Sequence, residues 1–535
     1  MVDSETTNDQ ENDTHYQLGQ DNVQVMGLDI HNPVFAISAV VIVAFVVISL
    51  LFQESAGAFF GWLRPTMTNT FDWVLLSSAN LFVLFSLLLI VTPLGKVRLG
   101  GKEARPDYSY AGWFAMLFAA GMGIGLMFFG VSEPLSHYGS SFGGTAMENG
   151  VRTDWAPLGG AAGNVDDARQ LAMAATIFHW GLHPWAIYAI VALALAFFSY
   201  NRGLPLTLRS AFQPILGDRV WGWPGHVIDI LGVFATLFGL ATSLGLGAEQ
   251  ALAGLNFLFG VPVTGTMKVV LILGITGVAL ISVVAGLEAG VKRLSEINMV
   301  LAIGLLAFIF LLGPTGFIVS GFFENIGAYL REIVPLSNPF GREDQNFMQG
   351  WTAFYWAWWI SWAPFVGMFI ARVSKGRTVR EFITCVLIIP TVVSIFWMST
   401  FGGAAIDQVV TMGNEAVSSA AQPVKLFEMV KAFPLTEVLS FVGIVLVIVF
   451  FVTSSDSGSL VIDGITAGGK IDAPVVQRVF WAIFEGLIAI ALLLGGGLGA
   501  LQAAAVATGV PFTFVLLGMM VAIFMGLRKE YKMYS

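Results

Sequence analysis

Charge is what this sequence has least of. Asp, Glu, Lys and Arg make up 11% of its 535 residues, against about 25% in soluble domains. That shortage excludes an ordinary water-soluble fold. With a mean hydropathy of +0.78, the chain reads as an all-α polytopic membrane protein. Cysteine is nearly missing too. Cys385 is the single one, so an internal disulfide is impossible and the redox compartment is not readable. The net charge of −9 is no nucleic-acid signature. Basic residues are absent from positions 1–33, which hold seven acids and no Lys or Arg. Positions 1–33 also lack the basic and apolar regions of a cleaved signal peptide. Their polarity predicts a disordered cytoplasmic tail.

Apolar stretches of spanning length fall at 34–52, 71–92, 110–130, 170–199, 226–247, 269–288, 297–320, 350–371, 382–401, 436–455, 477–495 and 500–527, which makes twelve. Of the 26 Lys and Arg, 18 lie in alternate loops, from Lys96 to Lys532. The positive-inside rule places those loops and both termini in the cytoplasm, and the chain in a cell inner membrane. The outer loops are the long ones. Residues 136–169 are Gly-rich and polar, 321–349 have the apolar spacing of an amphipathic outer-surface helix, and 402–435 form a third. A short cytoplasmic tail occupies 528–535.

Two spans carry helix-breaking residues. The third contains Gly121, Gly123 and Gly125. Each glycine lowers helix propensity by about 1 kcal/mol relative to Ala, and permits unwinding or the close approach of another helix. The eighth contains Pro364, where a backbone hydrogen bond is lost. The two are five apart in order. That is the spacing expected of two inverted five-helix repeats, each opening on a discontinuous helix beside a mid-membrane site.

Aromatic residues are abundant where acids are not. Residues 354–365 read FYWAWWISWAPF, and five of the 15 Trp lie between Trp351 and Trp362. Trp358 and Trp362 share a helix face, as do Tyr355 and Trp359. The rings exceed what an interfacial belt needs. In the fourth span, Trp180, Trp185 and Tyr188 fall within an arc of roughly 140°, and Pro184 bends the helix. Such stripes serve either as an aromatic core or as a box for a quaternary ammonium, which has no N–H to donate and is held by cation–π attraction. The acids in the spans are Asp72, Glu133, Asp229, Asp456 and Glu485, and none lies inside either array. Rings alone would then hold a cation, while the glycine segment offers backbone N–H groups and a positive half-helix end to a carboxylate.

Other constellations are weaker. His179 and His183 stand at i and i+4, but no third ligand is near them in sequence, and HWGLH lacks the zinc-protease pattern. No metal is expected there. In the tenth span Thr453, Ser454, Ser455, Ser457 and Ser459 surround Asp456. Their oxygens suit a small hard cation such as Na⁺, or else bond back to their own helix. No oriented Ser-His pair is evident, so no enzyme is expected.

GMGIGLMFFGVSEP at 121–134, FHWGLHPWAIYAI at 178–190, FYWAWWISWAPFVGMFIARVSKGRTVREF at 354–382 and VTSSDSGS at 452–459 resemble the betaine/choline/carnitine transporter family. The resemblance runs from about Val34 to Lys529. It implies two peripheral helices (34–109), a core of two inverted repeats (110–320 and 350–527), alternating access and a homotrimer. The implied substrate box is Trp180, Trp185, Tyr188 and Trp359. Met122, Gly121, Gly123 and Gly125 would lie near the substrate carboxylate, and Trp358, Trp362 and Phe369 along the pathway. An implied Na⁺ site uses the Thr453 and Ser454 hydroxyls with carbonyls of Ala119, Met122 and Phe450, and no further cofactor. A second would use Thr236 and Phe365, but Leu240 stands where Na⁺-coupled relatives have another Thr. Gly125 keeps the betaine-like pattern rather than the acid of proton-coupled choline members. The short C-terminal tail cannot form the basic helix of osmosensing members, so gating through it is not expected. The expected function is import of a betaine-type zwitterion with Na⁺. Choline, a sulfonium betaine or ectoine as substrate, a proton-coupled or exchange mode, and a non-transporting membrane sensor are the alternatives.

Overall fold

Long apolar helices follow one another from residue 32 onward in a computed structural model that describes residues 16–285, 288–470 and 472–534. Inside a bilayer the backbone has no water to bond, so an apolar run of this length must satisfy its own N–H and C=O groups as helix. The first two are α1 (Asn32–Leu51) and α2 (Gln53–Val91). Helix α2 starts at Gln53 rather than at residue 71, and through its polar stretch the Thr66, Thr68 and Thr70 hydroxyls find partners in carbonyls of their own helix. Then come α3 (Tyr110–Gly121) and α4 (Ile124–Gly143), bent by 63° at their junction, and α5 (Val165–Trp180) and α6 (Leu182–Tyr200). After these lie α7 (Trp223–Phe259), α8 (Gly265–Ala285), α9 (Glu288–Leu312) and α10 (Thr315–Ser337). The last four are α11 (Phe354–Val373), α12 (Val379–Met412), α13 (Thr436–Thr466) and α14 (Val475–Tyr534).

Among the described residues, nine helices are long and apolar enough to cross a membrane, or ten with the bent α3–α4 pair, and α5–α6 count as one of them. Two features bear on that number. The 60-residue α14 leaves helical geometry at Gly497 (φ 62°, ψ −144°). Helix α11 is 20 residues long, yet hydropathy scales score its Trp and Tyr as polar although they pack inside the protein.

One local expectation holds and two change. The third span breaks at Met122 and Gly123, where Gly123 is fully extended (φ −175°, ψ −175°). The fourth span breaks at Gly181 rather than bending at Pro184. Pro184 sits in the first turn of α6, where a missing N–H costs nothing. A Cβ at Gly181 would meet the Ile177 carbonyl oxygen at 2.7 Å and the Tyr329 hydroxyl at 3.1 Å. The eighth span does not break at Pro364, and α11 runs through it. Neighbouring helices hold α11 in place across the missing bond, and the irregularity lies earlier, in a π-helical turn at Met348–Ala353.

The amphipathic helix is α10, which begins and ends before the expected 321–349. It covers α5 and α12: Asn325 donates to Ser399 at 2.9 Å, and the Tyr329 hydroxyl accepts the Leu182 N–H at 3.2 Å. The tail is ordered in its second half, contrary to expectation. Asn22–Val25 (β1) and Leu28–His31 (β2) pair as an antiparallel hairpin. Met26 (φ 49°) and Gly27 (φ 79°) supply the positive φ angles of its tight turn. Lys470 pairs with Asp29 at 2.6 Å and Asn22 donates to the Ala467 carbonyl at 2.9 Å, so distant contacts, not local composition, order this segment. The expectation for 1–15 lies outside the described residues.

Candidate ligand-binding site

The α3–α4 break and the end of α5 face α11 across a small cavity of about 50 Å³. Backbone from Gly121 to Leu126 forms one side, and Trp180, Tyr188, Trp358, Trp359 and Trp362 form much of the rest. Trp359 is the hub of the rings. Its centroid lies 5.0 Å from Trp180 and 5.5 Å from Tyr188, edge-on to both, and 5.5 Å from Trp358. Its indole N–H donates to the His179 carbonyl at 2.9 Å. Helix α5 stops at Trp180, so that carbonyl has no helical partner. The break in one helix thereby positions a ring from another.

Glycine at 125 is a steric requirement. A Cβ there would stand 2.7 Å from the Trp180 ring and 3.1 Å from the Trp358 ring. Trp185, also expected in the box, packs behind it. It lies 5.4 Å from the Tyr188 ring and over Gly121, whose added Cβ would meet it at 3.2 Å. Met122 and Gly123 line the cavity as expected. Trp362 lines it as well, and its N–H donates to the Gly239 carbonyl at 2.8 Å. Phe369 stands apart, 36% exposed. Trp356 is fully buried against Phe178 and His183 and serves packing.

Two buried donors of cavity-wall residues, the Tyr188 hydroxyl and the Trp358 indole N–H, have no hydrogen-bond partner among the described residues. Buried donors are rarely left so. The wall therefore offers π faces to a cation and carries two unused donors.

An acid does stand beside the array, contrary to the sequence reading. Glu133 of α4 is fully buried. Its Oε1 lies 3.0 Å from His137 Nε2 and 2.6 Å from His179 Nδ1. Its Oε2 accepts the Trp180 N–H at 2.8 Å and the Tyr355 O–H at 2.5 Å. His179 Nε2 meets the Thr352 hydroxyl at 2.9 Å. Glu133, His137 and His179 bring ligand atoms within 4.8 Å of one another, so His179 does have further potential ligands nearby. Helix pairing supplies them, not local spacing. The i and i+4 placement of Glu133 and His137 was the signal available. His183 stays outside this cluster, 3.0 Å from Asn80 Oδ1.

The oxygen sets suggested for cations lie elsewhere. The Ala119 carbonyl accepts the Met122 N–H at 3.2 Å where α3 ends. Phe450, Thr453 and Ser454 follow one another along α13, and the Thr453 hydroxyl donates to the Val449 carbonyl at 3.0 Å, leaving its lone pairs outward. Every donor in this set is oxygen, the chemistry of a hard cation. At the second position the Thr236 hydroxyl donates to the Gly232 carbonyl at 2.7 Å, Leu240 fills the space over Gly458, and Phe365 meets Trp362 edge-on at 5.3 Å. Of Thr236, Leu240 and Phe365, Thr236 alone carries a side-chain oxygen.

Residues 33–532 match the betaine/carnitine/choline family of transporters. The chain is 65% identical over 522 residues to a glycine betaine/proline/choline transporter of Vibrio parahaemolyticus, spanning 97% of this chain and 94% of that relative. It is 54% identical to a glycine betaine/proline/choline/ectoine transporter of the same organism, over 97% of this chain and 91% of the relative. A glycine betaine transporter of Bacillus subtilis is 43% identical over 89% of each chain.

Proposed function

The chain belongs to the betaine/carnitine/choline transporter family, and on that premise we propose that it is a Na⁺-coupled secondary carrier importing a betaine-type zwitterion by alternating access. As a member of that family it is a transporter rather than an enzyme. The observation that carries the proposal is the cavity between two helix breaks, with three ring-bearing walls and two unused donors. A trimethylammonium head fits against Trp180, Tyr188 and Trp359 by cation–π attraction. A carboxylate fits the Tyr188 hydroxyl, the Trp358 N–H and the backbone of the α3–α4 break.

The same proposal includes twelve crossings. Ten are the apolar candidates, an eleventh follows from dividing α14 at Gly497, and the twelfth is the Trp-rich α11. It also includes two inverted repeats, cytoplasmic termini, an inner-membrane location and a homotrimer. For coupling, one Na⁺ is assigned to Ala119, Met122, Phe450, Thr453 and Ser454. A 100 mV potential supplies about 2.3 kcal/mol per charge, and a tenfold Na⁺ gradient about 1.4 kcal/mol. Together they support accumulation of a few hundredfold with a single ion. Leu240 argues against a second.

Purified protein in proteoliposomes should take up radiolabelled glycine betaine when Na⁺ is high outside. Equal uptake with K⁺ in place of Na⁺ would reject the coupling, and no uptake of any substrate would favour a sensor. Competition by betaine, choline, proline, a sulfonium betaine and ectoine ranks the substrates. Ectoine is included because one relative is named for it. Charge moved per substrate gives the stoichiometry.

A further inference from the structure

Glu133 is saturated with donors and short of positive charge. His137 Nε2, His179 Nδ1, Trp180 Nε1 and Tyr355 Oη all point at it. A carboxylate offers about four lone-pair positions, and four groups fill them. The count closes with an ionised carboxylate and two neutral imidazoles, His179 taking its second bond from the Thr352 hydroxyl. A proton on Glu133 would set one O–H against one of these donors. Its ion-pair partners among the described residues are imidazoles alone. Arg342 is paired with Asp344 at 2.6 Å.

We propose that Glu133 is the buried counter-charge of the cavity, acting on a cationic head group through the Trp180 indole. The carboxylate grips the N–H edge of Trp180, and the same residue lines the cavity. Two effects then point the same way. The negative charge attracts a cation across the width of one ring, in surroundings that screen it poorly. The hydrogen bond also pushes electron density into the indole, which strengthens the π face that the cation meets. Glu133 touches no ligand and is a positioning residue with an electrostatic share in selectivity.

The ligand's identity rests on the carrier reading, but the claim concerns charge and is tested without transport. The probes are glycine betaine and its uncharged-head isostere 3,3-dimethylbutanoate, which has the same shape with carbon in place of nitrogen. Equilibrium binding of both is measured on purified native protein and on Glu133→Gln, which keeps the size and removes the charge; its amide N–H groups face two of the four donors, and a loss caused by that disturbance falls on both probes alike. The expected result is about tenfold weaker betaine binding, equivalent to about 1.4 kcal/mol, with less than about twofold change for the isostere. Parallel losses for both probes would show a structural role only and overturn the proposal, while leaving the carrier reading intact. Native protein that binds no betaine would remove both. Should Glu133→Gln not fold, Glu133→Asp carries the test. Its retained charge should keep the native preference for betaine over the isostere, and collapse of that preference would overturn the proposal.

Discussion

Glu133 and Asp229 are both fully buried carboxylates, and the fold treats them in opposite ways. Asp229 of α7 faces a cation. Arg209 Nε lies 3.2 Å from one oxygen and the Arg209 backbone N–H donates to the other at 3.1 Å. The Arg209 guanidinium lies 5.6 Å from the Tyr16 and Trp221 rings and 3.0 Å from His31 Nε2. Charge cancels locally, and the cluster fastens the N-terminal hairpin to the body. Glu133 has four donors and no such partner. Uncancelled charge in a low dielectric is costly, so its persistence beside an aromatic cavity points to a cationic visitor. A carboxylate that faces an arginine makes a clasp, and one that faces only imidazoles and neutral donors marks a site.

The largest effect comes from breaking the clasp. Asp229→Ala leaves Arg209 buried without its carboxylate and should cost about 3–5 kcal/mol. Thermal unfolding in detergent checks this, and an unmoved midpoint would mean that the pair is hydrated. Next is Gly125→Ala, which drives a methyl group into Trp180 and Trp358. Overpacking of this kind costs about 1–3 kcal/mol, and betaine affinity should fall with it. Trp359→Leu separates the rings' share from the carboxylate's. It should weaken betaine binding by about 1–2 kcal/mol, and unchanged affinity would remove Trp359 from the box.

The smallest effect concerns a third carboxylate, one in a loop outside the membrane. Burial pushes Asp154 up, but the Arg152 guanidinium and the N–H groups of Ala146 and Ala156 outweigh it and hold the carboxyl down to about 2. The folded value lies below the unfolded one of about 3.9. Its stabilisation is therefore complete above about pH 4 and is lost as pH falls toward 2. Proteolysis of the 144–164 loop by an acid-tolerant protease should stay slow at neutral and mildly acid pH and quicken only below about pH 4. A transition near pH 6 would implicate an imidazole instead.

Much of the site was legible because its signals are local. Glycine at 121, 123 and 125 marks a break by propensity alone, and a run of Trp is visible without a partner. Glu133 was not legible as part of the array, since its donors Trp180 and Tyr355 stand 47 and 222 positions away. The Gly181 break depends on Tyr329 from α10, and straightness at Pro364 depends on neighbours packed around α11. The hairpin at 22–31 escaped a composition argument because Lys470 and Ala467 order it. Spacing in a sequence reports what a helix does to itself, and these four depend on what another helix does to it.

Trp359 and Trp362 stand three positions apart on α11, and each spends its indole N–H on a backbone carbonyl of a different helix, His179 of α5 and Gly239 of α7. The wall of the cavity is thus also a seam. Any motion that parts α11 from α5 must either unfasten Trp359 or drag its ring out of the cavity, so the shape of the cavity and the spacing of these two helices cannot be set independently. Trp362 imposes the same condition on α7. Two stitches of this kind tie the position of α11 to α5 and α7 at once, so neither neighbour can shift against it without disturbing a ring of the cavity wall.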